Sequence, residues 1–264
     1  MATAVFFHAH PDDESITTGG TMAKLAAEGH RVVLVTATRG ELGEVPEGML
    51  AAGETLADRR ARELAAACEA LGVARQVFLG YHDSGMDGTP ENDDPSCFWQ
   101  ADVDQAAHRL RALLDEEQAA VLVAYDEHGN YGHPDHVQVH RVGLRAGEMA
   151  GIPRVFMATT NRDHLLSLAD VAADLGIPMD DEQRAFIAEL GVLDARITTA
   201  VDVRGYLAHK RSAMEAHASQ IHDTSFFLSM PAEAFAAVWG TEWFIRVGAS
   251  VPDPKEDSLL ATGV

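Results

Sequence analysis

The sequence predicts an α/β protein built on a doubly wound, mostly parallel sheet with helices on both faces, and three observations carry that expectation. Short β-branched runs alternate with longer amphipathic stretches from Met1 to Ala158. The run Arg31–Thr36, rich in valine (Val32, Val33, Val35), lacks a polar face, as a strand buried between two helix layers must. Polar residues able to do chemistry collect just after the apolar runs, at the carboxyl ends of the predicted strands, where open parallel sheets bind ligands.

Taken in order, Ala4–His8 is the first strand, followed by a helix over Thr18–Glu28 that Gly29 ends. Arg31–Thr36 is the second strand. Leu56, Leu64, Ala67, Cys68 and Leu71 recur at helical spacing, with Gly72 as the stop, and Gln76–Leu79 is the third strand. Val103, Ala106, Ala107, Leu110, Leu113 and Leu114 mark the next helix, opened by Asp102 with Gln105 three residues on. Ala120–Tyr125 is the fourth strand, Pro134–Met149 a helix and Arg154–Ala158 the fifth strand. Beyond residue 160 the alternation weakens into helices near Asp163–Leu175, Glu182–Leu190, Gly205–His217 and Ala232–Val238. Short strands near Ile197–Val201 and Trp243–Val247 extend the sheet edge. The expectation is one Rossmann-like domain over 1–264: a catalytic core at 1–160, a C-terminal elaboration at 161–250 and a loose tail at 251–264, with its prolines and mixed charges.

Composition narrows the function classes. The formal net charge of -21, from 41 acidic and 20 basic residues, disfavours nucleic acid and anionic membranes as partners. No apolar run reaches the roughly 18 residues of a membrane span, and the N-terminus lacks a basic start, so the expected location is the cytoplasm. Two cysteines, Cys68 and Cys97, make neither a disulfide framework nor a cysteine-rich metal site. No G-x-G-x-x-G follows the first strand, which argues against a dinucleotide-binding module. The sequence leaves the oligomeric state open, and a homo-oligomer is compatible with it.

The first strand stops at His8-Ala-His10-Pro11-Asp12-Asp13-Glu14-Ser15. One imidazole and adjacent carboxylates on one loop are half of a divalent-metal site. The fourth strand leads into Tyr125–His136, where Pro134 suits the first turn of a helix, His133 its cap and His136 its first turn. His133 and His136 then face one cavity. His140, four residues on from His136, offers a second metal spacing but lies a turn deeper along the helix.

His10-Pro-Asp-Asp-Glu14 with Gly132-His-Pro-Asp-His136 resembles the paired signature of the PIG-L/LmbE family of zinc-dependent de-N-acetylases. The likeness covers most of residues 3–160, returns at Ala216–Gln220, and is greatest for the actinobacterial branch acting on N-acetylglucosaminyl-inositol. The resemblance implies that His10, Asp13 and His136 hold Zn2+ (Fe2+ or another divalent metal being the alternative), with open positions for water and substrate. It implies Asp12 as general base, His133 as oxyanion stabiliser with Asp135 orienting its ring, and Tyr131 closing over the site. It further implies Arg60, Asp83, Met86 and His217 as substrate contacts. On the residues alone, Arg60 is equally a solvated helix charge, Asp83 an acidic turn and His217 a helix-end residue.

The expected reaction is hydrolysis of an N-acetyl amide on a small amino-sugar substrate. The alternatives are an amidase of mycothiol S-conjugates or a non-catalytic ligand-binding module. The related amidases carry a lysine shortly after the first motif, and Ile16-Thr-Thr-Gly19 has none. The stretch Met86–Trp99 is long enough for a lid over the substrate.

Overall fold

A computed structural model describes residues 1–174, 180–222, 225 and 227–261. The chain runs β1 (Thr3–His8), α1 (Asp13–Thr17), α2 (Gly19–Ala27), β2 (Arg31–Thr36), α3 (Leu56–Leu71), β3 (Arg75–Phe78) and α4 (Val103–Glu116). It continues with β4 (Val121–Tyr125), α5 (Gly129–Gly132), α6 (Pro134–Ala150) and β5 (Arg154–Thr159). Then come α7 (Arg162–Asp174), α8 (Asp181–Glu189), β6 (Thr199–Asp202), α9 (Leu207–Ala216), α10 (Ala232–Trp239) and β7 (Thr241–Arg246). The predicted end of one helix at Leu175 and the last residues of the tail, 262–264, lie outside the described residues.

Among the described residues the strands form one seven-stranded sheet in the order β3-β2-β1-β4-β5-β7-β6. The first five run parallel, and β7 pairs antiparallel with both β5 and β6. The fold class read from the alternation is the fold observed. The order reverses between β1 and β4, which makes the gap beyond their carboxyl ends the topological switch point of the sheet. His8 and Tyr125, the last residues of those two strands, close the floor of that gap: His8 Nδ1 and the Tyr125 hydroxyl are 2.6 Å apart.

The core follows from this layering. Val5, Phe6, Phe7, Leu34, Leu122 and Val123 are all buried, because helices cover both faces of the central strands. A Cβ at Gly143 would overlap that of Ala124, so α6 lies almost directly on β4. That close approach brings the helix N-terminus, with His133 and His136, to the strand ends.

Two expectations are corrected. The stretch from His10 to Ser15 is not wholly loop, because a short extra helix, α1, begins at Asp13 and ends just before the predicted helix, which is found at Gly19–Ala27. The tail is not loose as far as it is described. Leu259 is buried, its carbonyl accepts from Arg154 Nε at 2.7 Å, and Glu256 pairs with Thr199 beside β6. That contact covers the backbone of an edge strand, a reason for a mixed-charge segment to dock there.

Candidate active site

Four loops at the strand ends converge and are tied together by side chains. Asp83 Oδ2 accepts from Leu42 N at 3.2 Å, and Asp83 N donates to Glu41 Oε1 at 3.2 Å. Ser84 donates through its backbone N to Asp135 Oδ2 at 3.0 Å and through its hydroxyl to Asp135 Oδ1. The stretch Met86–Trp99 is held rather than free: Asn92 Nδ2 donates to Ser84 O at 2.6 Å, Trp99 N to Ser84 Oγ at 2.9 Å, and Phe98 is buried.

At the centre, Asp13 lies between two imidazoles. Its Oδ1 is 3.3 Å from His136 Nε2, and its Oδ2 is 3.5 Å from His10 Nδ1. The far nitrogens of both rings are engaged: His136 Nδ1 lies 3.2 Å from Gly129 O, and His10 Nε2 3.1 Å from Asp135 Oδ2. Placing the ring hydrogens on those far nitrogens turns the lone pairs of His136 Nε2 and His10 Nδ1 toward the Asp13 carboxylate. Lone pairs facing carboxylate oxygens repel unless a positive charge lies among them. The donor set therefore fits a divalent cation. A proton on His10 answers the same repulsion that a cation would: burial opposes it, yet Asp13 and Asp135 outweigh burial and hold the imidazole well above its ordinary range. Burial likewise opposes ionising Asp13, and His136 and His10 outweigh it, keeping the carboxylate well below its ordinary range.

His10, His133 and His136 also offer nitrogens within 4.8 Å of one another. His133, however, caps α6 by accepting from Asp135 N through Nδ1 at 3.1 Å. Burial, then the neighbouring His10 and His136, press its pKa down to about 3, so the ring is neutral. A neutral ring that accepts at Nδ1 carries its hydrogen on Nε2, which then donates and cannot ligate. The Tyr131 hydroxyl is 3.5 Å from His136 Nε2, and burial, Asp13 and Asp12 raise its pKa, so it stays protonated.

Asp12 occupies the N-cap position of α1 at φ 112° and ψ -34°. A left-handed aspartate costs on the order of 1–3 kcal/mol unless its surroundings hold it. Its Oδ2 is 3.2 Å from Arg60 Nη2, and its N–H donates to Glu14 Oε2 at 3.0 Å. Burial, against the pull of the Arg60 guanidinium, pushes its carboxyl up to about 6.

The remaining predicted residues divide. Asp83 Oδ1 is 3.7 Å from His10 Nε2, and the Met86 side chain is exposed on the next turn. Arg60 is buried, not a solvated helix charge, and donates to Gly40 O at 2.7 Å and to Pro11 O. His217 does not line the site. It is fully buried behind α1, with Nε2 donating to Glu14 Oε1 at 2.7 Å. Burial opposes charge on both, yet their attraction raises His217 and lowers Glu14. The Asp135 carboxylate does not orient the His133 ring, which meets only the Asp135 backbone; the carboxylate goes to His10 and Ser84. His140 Nδ1 is bonded to Tyr125 O at 3.0 Å, below the His10, Asp13 and His136 cluster.

The sequence assigns no role to Ser84 or Asp126, although both lie in the loops at the strand ends. Asp126 is buried, accepts from His128 N and Asn130 N at 3.0 Å each and from Thr159 Oγ1 at 2.5 Å, and so shapes the loop that carries Tyr131. An aspartate immediately after the last residue of a central strand was the available signal.

Among known proteins, the family model described as PIG-L: GlcNAc-PI de-N-acetylase matches residues 5–147. A 1D-myo-inositol 2-acetamido-2-deoxy-alpha-D-glucopyranoside deacetylase from Acidothermus cellulolyticus is 43% identical, over 99% of this chain and 95% of the relative. A deacetylase of the teicoplanin biosynthesis pathway shares the fold at TM-score 0.61 and 20% identity, over 94% of this chain and all 100% of that one. So does GalB, the 4-carboxy-2-hydroxymuconate hydratase from Pseudomonas putida KT2440, at TM-score 0.59 and 21% identity, over 96% and 98% of the two chains. Fold likeness thus spans different reactions and fixes the architecture alone. The family model and the near end-to-end match at 43% identity carry further: the chain belongs to the PIG-L: GlcNAc-PI de-N-acetylase family.

Proposed function

We propose that this protein is a metal-dependent hydrolase that removes an N-acetyl group from an amino sugar, with N-acetylglucosaminyl-inositol as its favoured substrate. The observation that supports this most is the placing of Asp12, a carboxylate with raised pKa, immediately beside a His/Asp/His set at the switch point of the sheet. In this reading His10, Asp13 and His136 hold the cation, Zn2+ by preference, while Fe2+ suits the same donors. When bound, the cation polarises the amide carbonyl and makes water acidic enough to attack near neutral pH.

The chain's own groups do the rest. Asp12 takes the proton of the attacking water and later returns it to the departing amine, for which a carboxyl near 6 is well matched. His133 Nε2–H and the Tyr131 hydroxyl donate to the oxygen on which negative charge develops. Asp83, whose carboxylate has lone pairs left beyond its bonds to Leu42 and Gly85, accepts from a sugar hydroxyl. Exposed Met86, Leu42 and Tyr131 cover the apolar face of the sugar. The relative from Acidothermus, named for the same deacetylation, matches almost the whole chain.

The test is acetate release across N-acetylglucosaminyl-inositol, N-acetylglucosamine and glycosylated natural products. Highest kcat/KM on the inositol glycoside is expected; release from none of them would sink the proposal. His133→Ala is expected to lower kcat about 100- to 1,000-fold, the usual effect of losing one oxyanion donor. Metal content measured by elemental analysis should stay at the unmodified level. Loss of metal along with turnover would make His133 a ligand instead.

A further inference from the structure

The peptide that joins Pro11 to Asp12 is gripped at both ends. Its carbonyl accepts from Arg60 Nη2, and its N–H donates to Glu14 Oε2 at 3.0 Å. Glu14 is fully buried, and its other oxygen accepts from Ser15 Oγ at 2.5 Å and from His217 Nε2 at 2.7 Å. His217 is fixed in turn by its own segment. Ser219 donates to Glu63 through its backbone N at 3.0 Å and through its hydroxyl at 2.6 Å. Arg60 and Glu63 lie three residues apart on α3, so one helix secures both sides of the grip.

A buried ion pair is poor evidence for added stability, because desolvation offsets much of the attraction. Here the pair points at the N–H of a non-glycine residue held at φ 112°. We propose that His217, acting through Glu14, is a positioning residue that fixes the Asp12 backbone and so aims its carboxylate for hydrolysis. The inference rests on Asp12 being the base.

The experiment is a double-mutant cycle on the full chain with the N-acetyl amino-sugar substrate, reading kcat, KM and metal content. His217→Leu is expected to lower kcat about 10- to 100-fold, as loss of an outer hydrogen bond typically does, with KM and metal content unchanged. His217→Gln, whose amide N–H reaches toward Glu14 as Nε2 does, is expected to recover most of that loss. Added to Asp12→Asn, His217→Leu should cost less than about twofold more, because the group it serves is already gone. Equal losses on both backgrounds, no loss in His217→Leu, or no rescue by glutamine would overturn the proposal. Should the leucine variant not fold, His217→Gln and His217→Asn decide: an active glutamine and an impaired asparagine support the proposal, and equal activity overturns it. A fully active Asp12→Asn overturns the base assignment itself, and this inference with it.

Discussion

Asp12→Asn is expected to lower kcat by about 100- to 10,000-fold, the range that a positioned general base contributes. The amide keeps the size of the carboxylate but cannot take the proton from water. Asp12 is not between the two imidazoles; Asp13 is. The variant should therefore retain its metal and its fold, with KM little changed. Elemental analysis and steady-state kinetics on one preparation check this. A variant that loses its metal would place Asp12 among the ligands, and one that stays active would remove it from the chemistry.

The second large effect is expected at His136. Its ring is held by Gly129 O at 3.2 Å and by the stacked Tyr125 ring at 4.7 Å, with Nε2 turned toward Asp13 at 3.3 Å. Gly129 itself, at φ 58°, leaves no room for a side chain, because a Cβ there would overlap His136. An imidazole so oriented would take a cation without first being ordered. His136→Ala should reduce metal from about one per chain to a small fraction and lower turnover by more than about 100-fold, beyond what outer-shell losses cause. Full metal content in this variant would remove His136 from the ligand set. The contrast with His133→Ala, expected to keep its metal, separates the two histidines of the second motif.

The sheet was legible in the sequence because strand and helix periods are local. Val32 to Thr36 reads as a buried strand with no knowledge of its neighbours, and the order of loops at the strand ends follows from parallel topology. The first-motif and second-motif histidines were legible for the same reason. What could not be read were partnerships between distant segments. Asp135 stands two residues from His133, yet its carboxylate reaches His10, 125 residues away. His217 reads as a pocket or helix-end residue until Glu14, 203 residues earlier, is seen to claim its Nε2. The start of α1 at Asp13 depends on Asp12 at positive φ, held by Glu14 within the turn and by Arg60 from α3, 48 residues on. The tail reads as loose because its docking depends on Arg154 of β5 and on the edge strand β6.

The most direct test of the metal-dependent chemistry is acetate and free amine released from N-acetylglucosaminyl-inositol by the purified full chain, before chelation, after it, and after return of Zn2+ or Fe2+. Equal amounts of acetate and amine, lost on chelation and restored by metal, are expected. Release that persists undiminished in fully metal-free protein would contradict the role given to His10, Asp13 and His136.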